Sequence, residues 1–527
     1  MKNIIYFIIL FLLLPFGEAG RGFSQDNIRE IRILHWNDFH AHNLPIKSTK
    51  KDSSGNTITY YYGGTSDMLG YLNKYRNSHS LVLVGGDDFQ GTPISNITKG
   101  KSQIELLNLY NIDAFVLGNH EFDYGQYALD SSLSEAQFNY LSSNLFYSPK
   151  NSTFGKQWLI KELNGVKIGI IGLVPPNLDE LTLPRNIDRA KVLNRDSVLS
   201  ADITVLKNEK CNLIVLLTHE GVDEDKLVAE KFYKDVDVIV GGHSHTPLFK
   251  PVIDSGVIIV QAGAFSRWLG ELDLKVDLDK DTVTHYYGKL IETVMDSSVY
   301  DKAAAEKVDE MESGIKKEME EVIGKLESGW KNSHYNESNL GDFESDAFRK
   351  IAGTDIAFIN GGGLRKSLPK GDITVRDIWE INPFGNEIMK FSITGTQLKQ
   401  MLQNNTLIRL QLAAQKSPIE ILDCSGLSYS YDSKKFPDDS LNLITEIKVN
   451  GKELDENKAY SISTNVFVTS QFKRFFGEID GGIQFKNTGL IDRDVIMDVI
   501  REQKVIKSKN EKRITDIAKD KYIDIDE

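Results

Sequence analysis

Between residues 30 and 290 the chain repeats one pattern, a short apolar run followed by a longer polar or amphipathic stretch. The apolar runs fall at 31–34, 81–84, 114–117, 166–172, 213–217, 236–240 and 257–261. They are rich in Ile and Val and bounded by glycine. Runs of this length and composition predict buried strands. Their alternation with helical patterns predicts a layered α/β domain.

The pattern breaks at 301–327, DKAAAEKVDEMESGIKKEMEEVIGKLE. This stretch is rich in Ala, Glu and Lys, with apolar positions three or four apart. It predicts a solvated helix connecting two domains. A second α/β region follows, with strand-like runs at 356–360, 388–394, 427–431 and 461–468. The tail from Lys507 is charged and reads as peripheral. The boundaries are therefore a first domain over 28–295, a helical connector over 296–329, a second domain over 330–506 and a charged tail over 507–527. No repeat or low-complexity tract is visible.

Composition adds bounds. At 527 residues the chain exceeds what one core normally supports, which agrees with two domains. The net charge of -13 excludes nucleic acid as a favoured partner, because an acidic surface repels polyanions. The first twenty residues, MKNIIYFIILFLLLPFGEAG, have the form of a secretory signal: Lys2, an apolar core from Ile4 to Leu14, then a break at Pro15. That core is shorter than the roughly 20 residues of a membrane span. The expectation is an exported protein, periplasmic or at the cell surface, without stable membrane insertion after signal removal. Cys211 and Cys424 are the only cysteines, and Cys211 adjoins an apolar run, as a buried thiol would.

Five of the strand-like runs end in metal-type ligands. ILHWNDFHAH supplies Asp38 and His40, LVLVGGDDFQG supplies Asp87, and FVLGNHEFDYG supplies Asn119, His120 and Asp123. IVLLTHEG supplies His219, and VIVGGHSHTP supplies His243 and His245. Any one of these could be a helix cap or a surface imidazole. The named candidates include five of the ten histidines, and layered α/β sheets gather ligands at the carboxyl ends of their strands. The donors are imidazole, carboxylate and one amide, without thiolate, which suits Zn, Mn or Fe class ions. They are too many for one tetrahedral ion and enough for two divalent ions sharing a carboxylate. Two such ions facing Asp38 and Asp87 retain excess positive charge, which matches a phosphate dianion.

In their order, GNHEFDYG and GGHSH resemble the motifs of the 5'-nucleotidase / UDP-sugar hydrolase branch of the calcineurin-like metallophosphoesterases. The resemblance spans nearly the whole chain after the signal segment. It implies a four-layer αββα metal domain followed by a smaller α/β substrate-binding domain. It implies that Asp38, His40, Asp87 and His245 ligate one ion, and that Asp87, Asn119, His219 and His243 ligate the other. His120 and Asp123 would form the catalytic dyad, with Asp123 holding His120 protonated while water attacks in line at phosphorus. Phe122 is expected to pack in the core and Glu121 to cap or bridge locally.

The second region resembles the family less completely. In DIAFINGGGLRKSLPKGDITVRDIWEINPFGNEI, Asn360 and Arg365 fall on substrate-contacting positions. Asn382 to Asn386 reads as a structural turn. The family clamps a nucleobase between two aromatic rings. Here Ile421 stands at one ring position, with Asp423 at a polar base contact. TSQFKRFFGEIDGG replaces the usual glycine turn and leaves Phe472, Phe475 or Phe476 to supply the other ring. The resemblance implies an enzyme, a metal-dependent 5'-nucleotidase with a small-molecule nucleotide substrate, acting as a monomer or weak dimer. Nucleotide-sugar and di- or triphosphate bonds are further candidate substrates. A cyclic or non-nucleotide phosphoester, and a non-catalytic metal-binding protein, are the alternatives.

Overall fold

The computed structural model describes residues 27–518, apart from 53 and 416. The export signal expected at 1–20 lies outside the described residues. No helix among those described is long and apolar enough to cross a membrane.

The first domain is built on two six-stranded sheets. In the first sheet, Ile28–Trp36, Ser80–Val84, Ala114–Val116 and Asn139–Leu141 run parallel, and the antiparallel pair Trp268–Asp277 and Thr282–Glu292 extends it at one edge. In the second, Val166–Leu173, Leu213–Thr218, Val238–Val240 and Val257–Val260 run parallel between antiparallel edge strands. Alternate residues of each strand face opposite ways, and both faces are apolar. Ile31, Ile33, Leu81 and Leu83 meet Ile168, Ile170, Val215 and Leu217 between the sheets. Leu34, Val82 and Val84 face outward onto Met68, Leu72, Ile104 and Leu107 of the helices Thr65–Tyr75 and Lys101–Leu109. Ile171, Leu216 and Ile239 face Leu199, Leu206 and Val228 of the helices Arg195–Asn208 and Val222–Phe232. The result is the four-layer αββα arrangement.

The second domain centres on a five-stranded sheet ordered Leu422–Ser425, Ile356–Asn360, Ala459–Asn465, Glu387–Thr394, Lys486–Ile491. Ala357 and Ile359 point into one core, while Ile356 and Phe358 point into another.

Three expectations need correction. The main helix of the connector covers just Lys302–Ser313, where Asp301 caps Ala304 N at 2.9 Å. Ala304 and Val308 are buried, so one face of this helix belongs to the first domain. After Gly314 only a short helix remains, and Val322–Leu326 is a strand of the second domain, in keeping with its β-branched residues. The run at 461–468 is a strand only to Asn465, whose side chain accepts from Val468 N and starts the helix Val466–Ser470. The tail is not peripheral as far as it is described: Ile514–Asp516 pairs with Leu427–Tyr431, and Arg513 lies against Asp346 at 2.8 Å.

Candidate metal centre and active site

The ligand-type residues lie just beyond the carboxyl ends of the first domain's parallel strands, where the chain leaves the sheet. Asp38, His40, Asp87, His243 and His245 take φ of 51°, 52°, 57°, 74° and 54°. L-residues avoid this left-handed region because Cβ crowds the backbone, and such residues cluster at functional sites when their surroundings fix them. Here the surroundings are interlocking loops: Asp38 N donates to Gly86 O, and His40 N to Asp87 O, both at 2.9 Å.

The side chains converge from this frame. Asp38, His40 and His245 form one cluster that could hold a metal ion, Asp87, His219 and His243 form another, and His40, Asp87 and His120 form a third group between them. His245 Nε2 lies 3.1 Å from Asp38 Oδ1 and from His40 Nε2, and His219 Nε2 lies 2.9 Å from Asp87 Oδ2. His40 Nδ1 donates to Gln90 O at 2.9 Å and His219 Nδ1 to Gly85 O at 2.6 Å. A carbonyl accepts only, so each contact fixes the tautomer and turns Nε2 toward the centre. Asn37 Nδ2 and His243 N hold Asp38 Oδ2 at 2.6 and 3.0 Å.

Among the described residues, buried Asn119 Oδ1 has no hydrogen-bond partner, and buried Asp38 Oδ1 and His219 Nε2 meet only the ligand-type groups His245 and Asp87. Buried polar atoms are normally satisfied. All three belong to residues expected from the sequence as metal ligands, and their donor types suit divalent cations, so these residues fit the metals that the family implies. The field agrees. Burial disfavours a charged His219, yet Asp87 and Asp38 outweigh it and push the imidazole up to about 10. A divalent cation would compete for the same field.

His120 opens a one-turn 3-10 helix beside the two clusters. Its Nδ1 lies 2.7 Å from Asp123 Oδ2, and its backbone N donates to Asp87 Oδ1 at 2.9 Å. Burial disfavours the imidazolium, but Asp123 and Asp87 raise its pKa above the usual histidine value. Glu121 bridges as expected, and over more of the site. Its carboxylate accepts from the backbone N of Gly118 (2.6 Å), Asp87 (3.0 Å), Asp88 (2.7 Å) and Phe89 (3.3 Å), locking two ligand loops together. Gly118 is required by close approach, since a Cβ there would collide with Asp87 Oδ1. Phe122 is fully buried in the core.

A cavity of about 740 Å³ lies over this centre, with Asp87, Asn119, His120, His243 and His245 on its floor. The second domain forms the facing wall. Asn360 and Arg365 line it. The Arg365 guanidinium has no hydrogen bond or ion pair among the described residues, and it sits 6.0 Å from the Phe384 ring.

The other expected substrate contacts do not reach the cavity. Asp423 is 0% exposed, and its Oδ1 accepts from Ser338 N at the start of the helix Asn339–Ala352. Phe475 and Phe476 are core residues at 0% and 1% exposure. Phe472 packs against Phe391 and Phe476 on the same core. The helix Phe472–Phe476 turns these rings inward, because its apolar positions are needed to close the core.

The sequence reading passed over the groups that do line this wall: Phe467, Tyr335, Glu420, Arg474 and Phe384. Phe384 belongs to the segment read as a structural turn, yet its ring centroid lies 5.8 Å from that of His120. A local signal for Phe467 existed, since it is the second residue of the helix that Asn465 caps at the carboxyl end of the central strand. Burial pushes the Glu420 carboxyl up, against the pull of Asn360 and Arg474.

An αββα fold with paired Asp/His clusters and an adjacent His–Asp dyad at its strand ends defines the class of metal-dependent phosphoesterases. The comparisons agree. Residues 31–247 match the calcineurin-like phosphoesterase family, and residues 322–478 match the 5'-nucleotidase C-terminal domain. The chain belongs to the 5'-nucleotidase family of calcineurin-like metallophosphoesterases. It is 28% identical to a 5'-nucleotidase-related protein of Glossina morsitans morsitans, over 98% of this chain and all of that one. It is 29% identical to a snake venom 5'-nucleotidase of Crotalus adamanteus, over 90% of this chain and 86% of the other. The solved structure of a 5'-nucleotidase precursor from Thermus thermophilus superposes with a TM-score of 0.82 at 27% identity, covering 93% of this chain and 100% of that one. A sulfate thiohydrolase from a Thermus species shares the fold at 16% identity, with a TM-score of 0.78 over 97% of this chain and 99% of that one. The fold alone therefore does not choose the substrate.

Proposed function

We propose that this protein is an exported phosphohydrolase that uses two divalent metal ions to convert nucleoside 5'-monophosphates to nucleoside and phosphate. One observation carries the reading: Asp87, His243 and His245, from two Asp/His clusters, share a cavity floor with the His120–Asp123 pair, opposite a guanidinium that has no hydrogen bond or ion pair among the described residues. Asp38, His40 and His245 would hold one ion, and Asn119, His219 and His243 the other, with Asp87 between them. Bound there, the ions would supply Lewis acidity to activate water and positive charge to neutralise the phosphoryl group. Asp123 keeps the Nδ1 proton of His120 in place, so Nε2–H is free to donate to a phosphoryl oxygen or the leaving group. Arg365 would grip a phosphoryl oxygen from the second domain. The two domain walls would exclude bulk water and strengthen each of these interactions.

The test is phosphate release from AMP and a nucleotide panel, with Mn or Zn supplied and with EDTA as control. Release that EDTA abolishes is the expected result. Metal-loaded protein that releases phosphate from no phosphoester would overturn the reading. A second reading, a phosphoester without a nucleobase, is favoured by Ile421. It stands where the family's first ring is expected and is buried at 2% exposure. The same panel separates the two, because simple phosphoesters would then outpace every nucleotide.

A further inference from the structure

The wall opposite the metal centre holds one group that neither the metals nor the phosphate require. Glu420 lines the cavity, and both of its hydrogen bonds fall on the same oxygen. Oε2 accepts from Asn360 Nδ2 at 2.9 Å and from Gly362 N at 2.7 Å. The carboxylate is pressed onto the glycine turn before Arg365, where a Cβ on Gly362 would collide with Oε2. Oε1 accepts from no described residue and is not among the buried unsatisfied atoms, so it faces the open cavity. Arg474 and Arg365 share the cavity but form no ion pair with Glu420, and Arg474 donates to Glu180 O at 3.0 Å instead. Asn360 is meanwhile occupied at both ends of its amide. Its Nδ2 holds Glu420, and its Oδ1 accepts from Asn465 Nδ2 at 2.7 Å.

We propose that Glu420 selects the substrate's leaving group, accepting through Oε1 a hydrogen bond from a donor on the nucleoside. The inference rests on the nucleotidase reading above and names its specificity contact. An ionised carboxylate accepts and cannot donate. It repels phosphate oxygens, so the group it recognises belongs to the uncharged end of the substrate. Two donors exist there, a base amine and a ribose hydroxyl. A cavity built to pair a donor discriminates against analogues that lack it, because the acceptor is then left without a partner.

Glu420→Gln reads this directly. The amide oxygen of Gln can still accept from Asn360 and Gly362, and its NH₂ group then faces the cavity, replacing an acceptor with a donor. The full-length, metal-loaded variant is compared with wild type on AMP, IMP, 2'-deoxy-AMP and p-nitrophenyl phosphate. If the base amine is the partner, KM for AMP rises by about ten- to a hundredfold at unchanged kcat, and the preference for AMP over IMP narrows or reverses. If the ribose 2'-hydroxyl is the partner, KM rises for AMP and IMP alike and stays unchanged for 2'-deoxy-AMP. In both cases KM for p-nitrophenyl phosphate is unchanged, which a merely structural role for Glu420 would not produce. Glu420→Asp, which keeps the carboxylate on a shorter stem, should raise KM for AMP less than Glu420→Gln does, and it serves if the amide variant does not fold. Unchanged KM values for every nucleotide, or an equal rise for p-nitrophenyl phosphate, would overturn the assignment. Wild type that hydrolyses p-nitrophenyl phosphate and no nucleotide would instead overturn the nucleotidase reading beneath it.

Discussion

His120 is held from two sides, by Asp123 at its ring and by Asp87 at its backbone N. Neither contact needs the imidazole as a metal ligand in the proposed assignment. His120→Ala is therefore expected to lower kcat by about 10²–10⁴, the usual contribution of a positioned proton donor, while metal content measured by emission spectrometry stays at the wild-type level. Loss of metal along with activity would make His120 a ligand instead. Much at this scale was legible because the candidate ligands sit in tight motifs whose order along the chain carries the information. Glu420 and Asp423 were not separable in that way. Both are acids three positions apart in IEILDC, and only packing shows that Asp423 Oδ1 serves a helix N-terminus while Glu420 faces the cavity.

The helix Asn339–Ala352 carries a cost at the element scale. Glu344 on it is fully buried, and Asn382 Nδ2 donates to its Oε1 at 2.7 Å. Burial raises its pKa from 4.5 to about 8, so the folded state binds a proton that the unfolded state releases near pH 4.5. Stability from this group is therefore fully present below about pH 4.5 and is lost as pH rises toward 8. Glu344→Gln keeps the acceptor for Asn382 and removes the titration. Its stability relative to wild type should increase between pH 5 and pH 8, by on the order of 1–3 kcal/mol, in urea melts at the two pH values. A difference that does not change with pH would show that Glu344 does not titrate in this range. Elements were legible where apolar runs were unbroken, as in 166–172. They were not where a segment's role depends on a distant partner: the strand Ile514–Asp516 exists because Leu427–Tyr431 offers it an edge.

At the scale of the whole molecule, the cavity exists because two domains face each other. Asn96 Nδ2 donates to Pro383 O and Gln471 Nε2 to Asp179 O, each at 2.9 Å, and Arg185 pairs with Glu387 at 2.9 Å. Through this apposition Arg365 enters the field of Asp87, Asp123 and Asp38. Arg365→Ala should raise KM for AMP, and the inhibition constant for inorganic phosphate, by about ten- to a hundredfold. The melting temperature should hold or rise, since no described residue loses an ion pair. A large fall in melting temperature with unchanged KM would place Arg365 in the scaffold and not at the phosphate.

The sequence by itself determined the layered first domain and which Asp, Asn and His side chains gather at its strand ends. Both are written locally: strand burial in short apolar runs, and ligands in the few residues that follow each run. Only the tertiary structure decided which side chains line the cavity wall. Phe467, Phe384 and Glu420 come from separate segments, and nothing in the spacing of those segments distinguishes a cavity wall from a core. Apolar rings fill either environment: Phe475 is buried in the close-packed core, while Phe467 packs against that core and also lines the cavity.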